Sequence, residues 1–136
     1  MELFISDLDG TLLNGNAEVT EFTRDTLNRL MAKGLNFTAA TARTLASAGK
    51  ILLGLDLKLP VILMNGVLIY DMAEKKYVKI NSLSRELCGL IIGLSKGIGL
   101  EPFMYSVSDN QLSTRYERLI SPAMKSFYNE RRKNYY

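Results

Sequence analysis

The chain has 136 residues, 47% of them hydrophobic, one cysteine and a net charge of +3; that length holds one domain or one and a fraction, and can bury roughly two-thirds of its unfolded surface. Histidine is absent altogether, which excludes Ser-His-Asp and Cys-His machinery and any zinc site built with histidine or on cysteines alone, so acid–base work falls to Asp, Glu, Lys or Tyr. No apolar stretch approaches the ~18 residues of a membrane span, and Met1-Glu2 is not the basic start of a signal peptide.

In chain order, the apolar run Leu3-Phe4-Ile5 reads as a short buried strand of a parallel sheet. It leads into Asp7-Leu8-Asp9-Gly10-Thr11, two carboxylates two residues apart where a strand gives way to a turn. If both stay ionised they repel, unless a cation or a shared proton relieves them. Gly10 lets the backbone turn sharply, and Thr11 offers a hydroxyl and an N–H to an anion. Metal-assisted phosphoryl transfer needs such a set: a carboxylate nucleophile, a second carboxylate for proton transfer and a divalent ion. The bare D-x-D-G string is equally compatible with an ordinary turn. A calcium loop is disfavoured, because its sixth position is Leu12 where Gly is required, and a strand precedes it rather than a helix.

After the polar loop Asn14-Gly15-Asn16, Thr20 is a plausible N-cap with Glu21 in the first turn, favouring the positive end of the helix dipole. Phe22, Leu27, Leu30 and Met31 are expected to form one helical face, with Gly34 as the stop. Leu35 to Ala40 reads as a second strand, ending at Thr41-Ala42-Arg43-Thr44. Leu45, Ala48, Ile51, Leu52 and Leu55 then fall at helical spacing, and Pro60 opens a third strand, Val61 to Met64, closed by Asn65-Gly66. This β-α-β-α-β run predicts a parallel sheet with helices on both faces. Ligands in such sheets bind off the carboxyl ends of the strands, so the turns at Asp7-Asp9, Thr41-Arg43 and Asn65-Gly66 should converge.

The pattern then changes. Val67 to Tyr70 and Tyr77 to Ile80 read as a hairpin, and Leu87, Leu90, Ile91 and Leu94 form a helical stripe ended by Gly97. Cys88, set among these apolar residues, reads as a packed core thiol. The lack of any disulfide pair fits a reducing cytoplasm. Pro102 to Val107 and Gln111 to Tyr116 are candidate strands, and a last helix starts at Ser121-Pro122 and runs toward Tyr135-Tyr136. Residues 115–136 hold six basic residues against two acidic, or +4, leaving −1 for the preceding 114. A solvated helix face is the commoner use of such a tail, so no nucleic-acid partner is expected.

With these pieces placed, the chain resembles the haloacid dehalogenase-like (HAD) superfamily of phosphatases, in its Cof-type branch. The segments that carry the resemblance are Ile5-Ser6-Asp7-Leu8-Asp9-Gly10-Thr11-Leu12-Leu13, Phe37-Thr38-Ala39-Ala40-Thr41-Ala42-Arg43, and Leu59 through Asn65-Gly66 to Asp71. One departure is Ala42, where Cof-type members commonly have Gly. The resemblance implies an α/β fold: a three-layer, Rossmann-like parallel-sheet core over residues 1–80 and an incomplete α+β cap over 81–136, with the chain beyond Asp71 passing to the cap. It implies that Asp7 attacks phosphorus and becomes an aspartyl-phosphate, while Asp9 protonates the leaving oxygen and then activates water. Mg²⁺ would sit on the Asp7 carboxylate and the Asp9 backbone carbonyl. Thr41 would bind the phosphoryl oxygens, helped by the backbone N–H groups of Leu8 and Asp9, with Arg43 and Asn65 as candidate substrate-binding residues.

The family pattern also includes a charge-balancing Lys and a Gly-Asp motif that completes the metal site, both after the cap. This sequence contains no Gly-Asp dipeptide, and Lys125 falls in a cap helix. The expectation is therefore the N-terminal portion of a cytoplasmic, Mg²⁺-dependent phosphatase of small phosphorylated metabolites, incomplete and weakly active by itself. Phosphotransfer between molecules would use the same aspartate. The alternative is a catalytically inactive module that binds metal, phosphate or a partner chain. The strands that the family adds later would leave one sheet edge unpaired here, and an exposed edge invites association. A homodimer or a complementing C-terminal chain is expected as partner.

Overall fold

A computed structural model describes residues 2–132. The described chain divides into two compact units, Met1–Asn81 and Ser82–Tyr136. The first is built as β1 (Leu3–Asp7), α1 (Glu21–Ala32), β2 (Asn36–Ala40), α2 (Leu45–Leu52), β3 (Val61–Leu63), β4 (Leu68–Asp71) and β5 (Lys76–Ile80). These strands form one sheet in the order β1-β2-β3-β4-β5. β1, β2 and β3 run parallel, and β4 and β5 continue antiparallel. The fold is α/β with a mixed sheet. The hairpin does not begin a new unit: β5 pairs with β4, so the segment after Asp71 that the resemblance assigns to the cap is a strand of the core sheet.

Local signals place α1 well. The Thr20 hydroxyl accepts the Thr23 N–H at 3.2 Å, and Gly34 takes φ +99 just past the helix end. The expected apolar face is only partly right. Met31 is buried and Leu27 half-buried, but Phe22 is 80% exposed. At 100° per residue Phe22 lies half a turn around from Met31, so spacing by itself had grouped two opposite sides. Asn28 ties α1 to the segment after α2, donating to the Gly54 carbonyl at 2.8 Å and accepting the Asp56 N–H at 2.9 Å.

The core lies on one face of the sheet. Phe37, Ala39, Val61, Leu63, Leu68 and Tyr70 alternate along β2, β3 and β4 and are buried, joined by Met31, Ala48 and Leu52 from the two helices. Both crossovers, β1 to β2 and β2 to β3, step in the same direction. Right-handed connection therefore puts α1 and α2 on the same side, and residues 2–81 supply no helix for the other face. β1 is an edge strand, and Leu3, Phe4 and Ile5 are about half exposed, against the expectation of a buried strand.

The second unit contains α3 (Arg85–Gly97), the antiparallel hairpin β6 (Met104–Ser108) and β7 (Gln111–Arg115), and α4 (Pro122–Arg132). Ser84 caps α3 by accepting the Leu87 N–H at 3.1 Å. The Asp109-Asn110 turn takes two left-handed residues, the conformation a tight hairpin needs. Phe103, Tyr116, Phe127 and Tyr128 pack through ring contacts with centroids 5.0–5.7 Å apart. The stripe Leu87, Leu90, Ile91 and Leu94 is exposed, and Cys88 is half-buried rather than a core thiol. The expected run of the last helix to Tyr135-Tyr136 lies outside the described residues. Among the described residues no helix is long and apolar enough to cross a membrane.

Candidate active site

Parallel pairing brings three strand ends to one edge of the sheet. Asp7, the last residue of β1, is the register partner of Ala40 at the end of β2, and Ala40 is the partner of Ile62 in β3. The chain leaving each strand turns polar at that edge, the place where α/β sheets bind ligands.

The first turn is held by its own atoms. Asp7 Oδ1 accepts the Leu8 N–H at 2.7 Å, the Leu8 side chain is fully buried, and the Leu13 N–H reaches the Leu8 carbonyl at 3.0 Å. Gly10 makes the reversal at φ +76, which a side chain would strain. The second turn centres on Thr41, which is buried. Its oxygen accepts the Arg43 N–H at 3.1 Å, leaving the hydroxyl proton to donate. The third turn is bound to the second: the Asn65 N–H donates to the Thr41 carbonyl at 3.0 Å, and the Met64 N–H to the Arg43 carbonyl at 3.1 Å. Met64, Asn65 and Gly66 all have positive φ, at 50°, 55° and 90°. Asn and Gly accept this conformation readily, whereas Met does not, so the turn stores backbone strain beside the site.

A bidentate ion pair links the first turn to the second. Arg43 Nε donates to Asp9 Oδ2 at 2.8 Å and Arg43 Nη2 to Asp9 Oδ1 at 2.6 Å. The guanidinium hydrogen bonds hold the Asp9 carboxyl below its ordinary range, desolvation opposes them, and the Arg43 charge adds to them. The same hydrogen bonds push Arg43 up.

Each candidate residue thus has a stated place. Asp7 and Asp9 lie in the first turn, Thr41 and Arg43 in the second, and Asn65, exposed, in the third. The structure brings Asp9 and Arg43 into contact and joins Thr41, Arg43 and the third turn through backbone atoms. The Leu8 N–H, expected on the phosphate, is committed to Asp7. Two features escaped the sequence reading. The Asp9–Arg43 contact spans 34 positions, and only the pairing of β1 with β2 could have signalled it. The left-handed Met64 carries no residue-type signal at all.

Mg²⁺ accepts a donor set of one or two carboxylates with water and phosphate oxygens completing the octahedron. Asp7 is exposed at the turn, with Oδ2 outside the Leu8 hydrogen bond, and the Asp9 carbonyl is two residues on. These hard oxygens fit the ion as part of such a set. Among the described residues no third acidic, histidine or cysteine side chain joins them.

Comparison with known proteins agrees with this arrangement. The sequence profile of the haloacid dehalogenase-like hydrolases matches residues 4–136. A Mycoplasma genitalium protein described as "Putative phosphatase MG265" is 37% identical over 94 residues, covering 68% of this chain and 34% of that one. The crystal structure of TM0651 from Thermotoga maritima superposes with a TM-score of 0.69 at 26% identity, covering 96% of this chain and 46% of that chain. The HAD subclass IIB sugar phosphatase BT4131 superposes with a TM-score of 0.62 at 21% identity, covering 95% and 48%. The chain therefore spans about a third of that curated relative and about half of these solved structures. With the acidic turn at the end of β1, the Thr41 turn beside it and a match that leaves out only the first three residues, the chain belongs to the haloacid dehalogenase-like hydrolase family.

Proposed function

We propose that this chain carries the nucleophile half of a Mg²⁺-dependent phosphatase of small phosphorylated metabolites. The observation that carries the reading is the Asp7-Leu8-Asp9 turn held against the Thr41-Ala42-Arg43 turn at the carboxyl edge of a parallel sheet. An Asp7 carboxylate oxygen attacks phosphorus, the P–O bond to the alcohol breaks, and Asp9, having taken up a proton from solvent, passes it to the leaving oxygen. Water then attacks the aspartyl-phosphate, Asp9 takes its proton, and the Asp7–P bond breaks to release phosphate. The Thr41 hydroxyl donates to a phosphoryl oxygen. The Asp7 carboxylate and the Asp9 carbonyl would hold Mg²⁺, which when bound neutralises charge on the phosphoryl group. The neighbour described as a sugar phosphatase supports sugar phosphates or related esters as substrates. The cytoplasm, whose reducing conditions suit a chain with one cysteine, is the proposed compartment.

A second reading is favoured by the half-exposed Leu3, Phe4 and Ile5 of β1. It is a module that binds phosphate or metal and gains turnover only on pairing with a complementing chain or a second copy. The test is an assay of the purified chain with Mg²⁺ and an aryl phosphate, alone and mixed with the C-terminal part of a complete relative. Weak turnover alone, increased on mixing and abolished by Asp7→Asn, is expected. Turnover that survives Asp7→Asn unchanged rules out the aspartyl-phosphate route, and no gain on mixing removes the complementation reading.

A further inference from the structure

We propose that Arg43 is a positioning residue for Asp9, a clamp that gives up the Asp9 carboxylate when a phosphoryl group arrives to take its place. The proposal rests on the phosphatase reading of the site. Both Asp9 oxygens point at one edge of the guanidinium, Oδ2 at Nε and Oδ1 at Nη2. In that pose each oxygen spends one acceptor site on the guanidinium, and the carboxylate is held in one orientation. The role proposed for Asp9 needs the carboxylate turned to the leaving oxygen and then to water, and a carboxylate gripped through both oxygens can turn only when the fork opens.

A competing ligand of the right shape is the substrate itself. The planar fork that grips a carboxylate grips two phosphate oxygens equally well. Arg43 is anchored at the right place for the exchange: its N–H is fixed on Thr41 Oγ1 and its carbonyl accepts the Met64 N–H, so its backbone stays beside the Thr41 turn while the side chain swings. The pair is also open to water, with side-chain exposures of 29% for Arg43 and 53% for Asp9. Exposed pairs are held weakly and exchange readily. Phosphate binding and release of Asp9 become one event, and the acid–base group is held in check while the site is empty.

The probe is inorganic phosphate with Mg²⁺, added to the full chain. Nuclear magnetic resonance of the Arg43 Nε–H and the Asp9 carboxyl carbon should show both signals moving together as phosphate saturates. Phosphate affinity, measured by calorimetry, should rise about 2- to 5-fold in Asp9→Asn, the strength of an exposed pair. A gain caused only by removing a negative charge would appear equally in an Arg43→Gln background. The clamp requires that the gain vanish there, a coupling read from the double-mutant cycle. Arg43→Lys should restore charge but not the paired signals, since an ammonium has no fork. Equal gains in both backgrounds, or phosphate bound with the Arg43 and Asp9 signals unmoved, overturn the clamp and leave the phosphatase reading standing. Absence of phosphate binding at millimolar concentration in every variant removes both.

Discussion

At the residue scale, three consecutive residues at the end of β1 alternate between opposite burdens. Leu8 is fully buried and fixes the turn, while Asp7 and Asp9 on either side are exposed. Gly10 makes that alternation possible. Gly10→Ala finds open space around the new methyl group but keeps φ +76, so its cost is backbone strain alone, about 1–2 kcal/mol. A urea titration of the variant should show the midpoint fall without a change in slope. Asp9 sets a pH dependence of stability. Its folded pKa is lowered, mainly by the hydrogen bonds from Arg43, so the pair stabilises the fold above the ordinary carboxylate value and the benefit is lost as pH falls through the folded value. The pair is exposed, so its contribution is about 0.2–1 kcal/mol. Arg43→Gln should therefore be less stable than the parent at neutral pH and equal to it in acid; a constant difference at all pH values would assign the loss to packing. The carboxylate pair was legible in sequence because a short string carries it. Its partner was not, because Arg43 lies 34 residues away and reaches Asp9 only through strand pairing.

Elements were legible where the signal was local and obscure where it depended on neighbours. The Thr20 cap and the Gly34 stop stand where residue type put them, and β4 and β5 pair as the two apolar runs implied. Which side of each helix is covered did not follow, since that depends on what packs against it. Phe22 is exposed on α1, and the whole apolar stripe of α3 is exposed. That difference has a measurable consequence. Leu63→Ala, at a fully buried site of β3, should cost about 2–5 kcal/mol. Leu94→Ala on α3, where the side chain is 64% exposed, should change stability by less than about 0.5 kcal/mol. Chemical denaturation of the two variants checks both, and a large loss from Leu94→Ala would show that its face is covered in solution.

For the whole molecule, the α/β class and the convergence of three polar turns were legible from the alternation of apolar strands and helices. The mixed character of the sheet was not, because strand order is a property of pairing. The free edge of β1 and its half-exposed apolar residues should make the chain self-associate, since unpaired edges template further strands. Sedimentation over a wide concentration range should show mass rising with concentration, and a monomer throughout would remove that expectation. The strand order has a further consequence. Because β1 to β5 lie side by side in the order of synthesis, each strand leaving the ribosome meets a partner already made. Such local pairing favours fast assembly. A sheet laid down this way grows from one flank only, and the oldest strand, with Asp7 at its tip, forms the other flank.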